Sequence, residues 1–279
     1  MKKLLKKILP VFYGQWLNFI ALFNTQKAAK IAFDIFCTIR KGRVLHAQKD
    51  FLDSARFSIE QVMEQQIQTY KWPGKKETVL LLHGWESNTY RWRNLITKLR
   101  EQDFDILAFD APAHGYSTGK MLHVPLYAQS LRHILQKFHP KWVVAHSIGG
   151  MTVLYEHFIN PESSVEKIVT IGSPCEFENF MHHYQNLLKF NNRVWMAMDK
   201  RLKIWFNFYF HEFSSTRFVE NNTIKGLLFH DKLDKQVAYT ESVKVHKNWK
   251  GSQLVLTEGL GHSMHQAEVN DQIIAFLKS

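Results

Sequence analysis

The stretch WVVAHSIGG, residues 142–150, decides how this chain is read. Its first four residues, Trp142 to Ala145, form a short continuous apolar run, the pattern of a strand buried on both faces. A helical run from Met151 to Phe158 follows directly. Between the two stand Ser147 and the pair Gly149-Gly150. A serine on a tight strand-to-helix turn needs small residues two positions before and after it, because backbone and helix crowd together there. Ala145 and Gly149 meet that need. Such a turn lifts the Ser147 hydroxyl above the sheet and aims the Ile148 N–H, at the helix N-terminus, toward a developing oxyanion. A small-x-Ser-x-Gly string alone arises by chance; the strand before it and the helix after it give it weight.

Working outward, similar apolar runs occupy 78–82, 106–109, 168–171, 226–229 and 254–256. A shorter strand is expected over Ile67–Trp72, ahead of the Pro73-Gly74 turn. Most runs are separated by enough residues for a helix. The fold class is therefore α/β, a mostly parallel central sheet with helices on both faces. Ligands of such sheets bind beyond the carboxyl ends of the strands. Small, polar and titratable residues gather there: His83-Gly84-Trp85, Asp110 to Gly115, His146 to Gly150, His230 to Asp234, and Gly259 to His262.

A serine nucleophile needs a general base, and the base needs an orienting acid. Among 15 histidines, His262 is selected by its place after the last strand, in a glycine-rich turn. Asp234 is the expected acid, because it can reach across in the loop that Val237 anchors; Asp231, which emerges directly from the strand, is the competing candidate. The chain order Ser, Asp, His suits a triad on a strand-to-helix elbow. The backbone N–H of Trp85 is the candidate second oxyanion donor, beside Ile148. His114 is read as structural.

From about residue 66 to 279 these motifs resemble the α/β-hydrolase superfamily. The resemblance rests on Leu82 to Trp85, Phe109 to Ser117, Ala145 to Gly150, Asp234 to Val237 and Gly261-His262. It implies Ser147 as nucleophile, His262 as base, Asp234 as acid, and Trp85 and Ile148 as backbone donors. Ala145 stands where the commoner pattern has glycine, and is small enough for the turn. The resemblance also implies a helical cap inserted at about 174–222. Those 49 residues hold 12 aromatic rings, about a quarter, against 14% for the whole chain, which favours an apolar acyl or alcohol group in the substrate. Arg193, Lys200, Arg201 and Lys203 are expected on the cap's solvated face. The expected chemistry is hydrolysis of a small or medium apolar carboxylic ester. A thioester, an amide or an acyl acceptor other than water would suit the same triad. A non-catalytic interaction protein on this fold is a further alternative.

Composition narrows the partners. Hydrophobic residues at 45% and charged ones at 22% suit a folded domain. The net charge of +11 is concentrated: residues 1–50 carry 10 Lys/Arg against 2 Asp/Glu. A nucleic-acid-binding face on the main domain is therefore not expected. Neither a metal nor a cofactor pattern is present in the sequence. Two distant cysteines, Cys37 and Cys175, point to a reducing, cytoplasmic setting. Residues 1–65 read as an N-terminal basic, amphipathic helical segment, with a helix over Thr25–Ile39, and residues 66–279 as the hydrolase-like domain. In residues 1–24, Lys2, Lys3, Lys6 and Lys7 precede an apolar stretch that Pro10, Gly14, Gln15 and Asn18 interrupt. That leader is expected either to pack on the protein's own surface or to make peripheral contact with an anionic membrane.

Overall fold

The computed structural model describes residues 2–279, with side chains from Ile8 onward; the side chains of Lys2, Lys3, Lys6 and Lys7 lie outside the described residues. Its strands are β1 (Arg56–Val62), β2 (Gln65–Trp72), β3 (Lys76–Leu82), β4 (Phe104–Phe109), β5 (Trp142–His146), β6 (Lys167–Ile171), β7 (Lys225–Asp231) and β8 (Ser252–Thr257). In chain order its helices are α1 (Lys2–Phe23), α2 (Thr25–Cys37), α3 (Lys49–Leu52), α4 (Arg93–Glu101), α5 (Val124–Phe138) and α6 (Ile148–Ile159). They continue as α7 (Phe177–Leu188), α8 (Asn192–Phe206), α9 (Ser215–Val219), α10 (Thr240–Asn248) and α11 (Ala267–Lys278). The chain divides into two compact units.

The larger unit comprises residues 39–175 and 215–279. Its strands form one sheet in the order β1-β2-β4-β3-β5-β6-β7-β8. From β4 to β8 neighbours run parallel; β1 and β2 pair antiparallel at one edge. Every residue of β4, β5 and β6 is buried, which is why these strands read as mainly apolar runs. Side chains alternate between faces, so Val79, Leu81, Ile106, Val144, Val169 and Phe229 pack one core with Leu99, Ile273 and Leu277 from α4 and α11.

Strand β1 lies inside the stretch read as the N-terminal helical segment, and it joins the sheet through seven registered pairs with β2. Its alternation is inverted. Phe57 and Ile59 face solvent, while Glu60 is buried and takes Lys137 (2.8 Å) and His133 (3.1 Å) from α5. The units therefore part at residue 38 rather than at 65.

The smaller unit comprises residues 1–38 and 176–214, joining the N-terminal helices to the insertion. Asn24 caps α2 by accepting from the Lys27 N–H at 2.8 Å. The Tyr184 hydroxyl of α7 donates to the Ala32 carbonyl of α2 at 2.9 Å. Phe190, Phe210 and Phe213 are buried, so a good part of the aromatic content fills this unit's own core. Arg193 and Lys200 are exposed as expected. Arg201 and Lys203 are not merely solvated: Arg201 donates to the Gln26 carbonyl at 2.7 Å and lies over the Trp205 ring, and Lys203 pairs with Glu212 at 3.0 Å.

Helix α6, which carries the turn after β5, is held to α5 by Glu156. Burial pushes this carboxyl up in pKa, and a two-pronged contact from Arg132, at 2.8 and 3.1 Å, works against that rise. The Arg132 side chain is 38% exposed, so solvent screens part of the gain. Glu156→Ala is expected to cost about 2 kcal/mol, the scale of a charge-assisted contact. Urea unfolding checks it, and an unchanged midpoint would contradict this role.

Candidate active site

Ser147 sits between β5 and α6 at φ 52° and ψ −125°, a left-handed conformation that side chains rarely adopt. Such a backbone costs about 1–3 kcal/mol and persists only where its surroundings hold it. Here the Ser147 N–H donates to the Ile171 carbonyl at the end of β6, at 2.9 Å. Two glycines permit the tight packing around it. A Cβ on Gly149 would lie 2.7 Å from the His83 carbonyl oxygen, and one on Gly84 would lie 3.0 Å from the Ser147 Cβ. Gly84 thus brings the loop after β3, with Trp85, against the serine. Ile148 opens α6, so its N–H has no acceptor one turn back within the helix.

His262 and Asp234 meet. His262 Nδ1 lies 2.7 Å from Asp234 Oδ2, and the Asp234 side chain is fully buried. Burial pushes the Asp234 carboxyl up. Donors from His230 and His262, and the Gln236 and Val237 N–H groups, outweigh that and hold it well below the ordinary carboxylate range. The carboxylate is therefore ionised and can only accept, so Nδ1 of His262 carries a proton, and in the neutral form of the ring the free lone pair is on Nε2. His230 Nε2 faces two acceptors, Asp234 Oδ2 at 3.3 Å and the Val237 carbonyl at 3.0 Å, so it too donates. Asp231 takes no part in this contact. Its two oxygens accept from the Leu233 N–H, the Thr257 hydroxyl and the Leu260 N–H at 2.8–3.0 Å, which ties the turn before His262 to β7 and β8.

Ser147 follows β5 and His262 follows β8, and the turn that carries His262 reaches back over the ends of β6 and β5. Gly172, directly after the carbonyl that holds Ser147, lies so close to His262 that a Cβ there would be 3.2 Å from Nδ1. Among the described residues no hydrogen bond joins Ser147 Oγ to the His262 ring. Contacts of this kind commonly tighten only around bound substrate.

Residues to which the sequence gives no catalytic role complete the framework. His146 Nε2 approaches the His262 carbonyl at 3.0 Å, and the two rings are 4.8 Å apart. Burial keeps His146 neutral, its pKa well below the ordinary imidazole value. The buried Arg91 donates to the Ser263 carbonyl at 3.0 Å. The loop after β3 is braced from below. His83 Nε2 accepts from the Ala111 N–H at 2.9 Å, and His114 Nε2 accepts from the Glu86 N–H at 3.0 Å. His114 is thus structural, as its sequence position suggested. Asp110 accepts from the Tyr70 hydroxyl (2.7 Å), the Thr89 N–H (2.9 Å) and the Tyr116 N–H (3.0 Å). Among the described residues, no group of three His, Cys, Asp or Glu side chains could hold a metal ion.

Comparison with known proteins identifies the fold family. A family model for the alpha/beta hydrolase fold matches residues 77–265. An esterase of Mycobacterium tuberculosis is 28% identical over 125 residues, 43% of this chain and 41% of that protein. A serine hydrolase-like protein of Danio rerio is 26% identical over 147 residues, 48% of this chain and 44% of that protein. Both matches thus span less than half of the relative. In three dimensions, an esterase from Exiguobacterium antarcticum superposes with a TM-score of 0.63 at 18% identity, covering 80% of this chain and all of that one.

The buried histidines set an acid limit. Burial holds His83 down to about 4 and His114 down to about 3, against 6.5 in an exposed chain. Between those values the unfolded chain binds more protons than the folded one, so stability falls as pH falls. The urea midpoint is expected to drop steadily from about pH 7 to about pH 5. A flat midpoint across that window would show that these imidazoles are not buried neutral.

Proposed function

The chain belongs to the alpha/beta hydrolase fold family, and from that premise we propose that it is a serine hydrolase cleaving carboxylic esters of small or medium apolar substrates through an acyl-enzyme on Ser147. The observation that carries this reading is the 2.7 Å contact between His262 Nδ1 and a buried, ionised Asp234, with the imidazole packed against Gly172, next to the Ile171 carbonyl that holds Ser147. The esterase of Mycobacterium tuberculosis, though matched over less than half its length, supports the same chemistry.

In this mechanism Ser147 Oγ attacks the ester carbonyl as its proton passes to His262 Nε2. Asp234 keeps Nδ1 protonated and stabilises the imidazolium that forms. The negative charge on the carbonyl oxygen rests on the N–H groups of Ile148 and Trp85. The intermediate collapses, the carbon–oxygen bond to the alcohol breaks, and the alcohol leaves with the proton from Nε2. Water then gives a proton to Nε2 as it attacks the acyl carbon, and Ser147 departs with that proton. The strained turn at Ser147 keeps its hydroxyl presented without reorganisation during the reaction.

Hydrolysis of p-nitrophenyl esters of increasing acyl length tests the proposal. Short and medium chains are expected to be turned over. Ser147→Ala should abolish turnover, and Asp234→Asn should lower kcat by about four orders of magnitude through the wrong imidazole tautomer. Asp231→Asn should instead show itself in stability. Unchanged esterase activity in Ser147→Ala would overturn the assignment.

A further inference from the structure

Helix α1 carries an apolar surface that the smaller unit does not use. Residues 8–23 contain no charged side chain. One face of the helix is packed: Leu17 is fully buried, Ala21 nearly so, and Gly14 lies against the Leu188 carbonyl of α7. The two amides of this run are also spent on the unit. Asn18 accepts from the Asn191 N–H at 2.7 Å, and both Gln15 and Asn18 donate to the Lys189 carbonyl at 3.3 Å. Opposite, Phe12, Trp16, Phe19 and Phe23 recur at i, i+4, i+7 and i+11, which is one stripe of a helix. They are 65%, 41%, 61% and 79% exposed, and Ile8 and Leu9 beside them are about half exposed. Within residues 8–23 the two amides therefore serve the unit while the aromatic stripe faces out, the reverse of a helix lying on its own protein in water.

We propose that this stripe docks α1 in the plane of an anionic lipid bilayer, as a surface anchor independent of the hydrolase chemistry. Three observations select lipid. The exposed residues are aromatic and aliphatic, with Trp16 and Tyr13 among them, the side chains favoured at a bilayer interface. Four lysines, Lys2, Lys3, Lys6 and Lys7, directly precede the run in sequence, matching phosphate headgroups. Residues 1–38 and 176–214 together hold 11 Lys/Arg against 5 Asp/Glu, so a second copy would meet like charge where an anionic surface meets the opposite one. Among the described residues no helix is long and apolar enough to cross a membrane, so α1 lies on the bilayer instead of spanning it.

Co-sedimentation of the full chain with vesicles tests this. One set contains phosphatidylglycerol with phosphatidylcholine, the other phosphatidylcholine alone. The wild type is expected to sediment with the phosphatidylglycerol vesicles and to be released as salt rises. The exposed-face variant Trp16→Ser/Phe19→Ser should lose binding by about tenfold or more, with an unchanged circular dichroism spectrum. Three results overturn the proposal. The wild type could stay in the supernatant with phosphatidylglycerol vesicles at low salt. The variant could bind as tightly as the wild type. Sedimentation velocity could reveal a dimer that the variant abolishes while neither protein binds vesicles, which would assign the stripe to a second copy.

Discussion

Much of the candidate site is organised by one buried carboxylate. Among the described residues no Lys or Arg forms an ion pair with Asp234, yet it is ionised, because donors converge on it from both sides. Its Oδ1 accepts from the Gln236 and Val237 N–H groups of its own loop. Its Oδ2 accepts from His262, and His230 approaches the same oxygen from β7. Losing any of these donors would leave a buried charge under-solvated, so the loop, the strand end and the imidazole are fixed together. His262 is held a second time through its backbone, by His146, the residue just before the proposed nucleophile. A chain of contacts therefore runs from β7 through the carboxylate and imidazole to the end of β5.

How legible this was depends on whether a residue's role is local. Strands β3 to β7 show plainly in sequence because both faces are buried, and Ser147 shows because a tight turn demands Ala145 and Gly149 around it. Strand β1 does not show. Its apolar Phe57 and Ile59 face outward, and its buried Glu60 is compensated by Lys137, which is 77 residues away. The sequence favours Asp234 over the competing Asp231 through its place in the loop that Val237 anchors. The fold separates them by giving Asp231 a full set of other donors around Thr257 and Leu260. The sequence gives Arg91, His146 and His230 no role of their own, since their value lies in carbonyls and carboxylates reached only after folding.

Helix α1 teaches a similar lesson about periodicity. Its sequence reads as interrupted and amphipathic, with Pro10, Gln15 and Asn18 as the breaks. In the fold it continues through Pro10, and the two amides become its attachment to the turn at Lys189–Asn191. Polar residues in an apolar helix can mark the face that finds hydrogen-bond partners, and the apolar remainder is then what stays outside.

Ser147 is the proposed nucleophile that this framework serves. Reaction of the folded protein with a fluorophosphonate, followed by peptide mapping by mass spectrometry, tests that most directly. A single covalent adduct on Ser147, formed in the wild type and strongly slowed in Asp234→Asn, is the predicted result. An unlabelled Ser147 in folded protein, or an adduct on another residue, would contradict it.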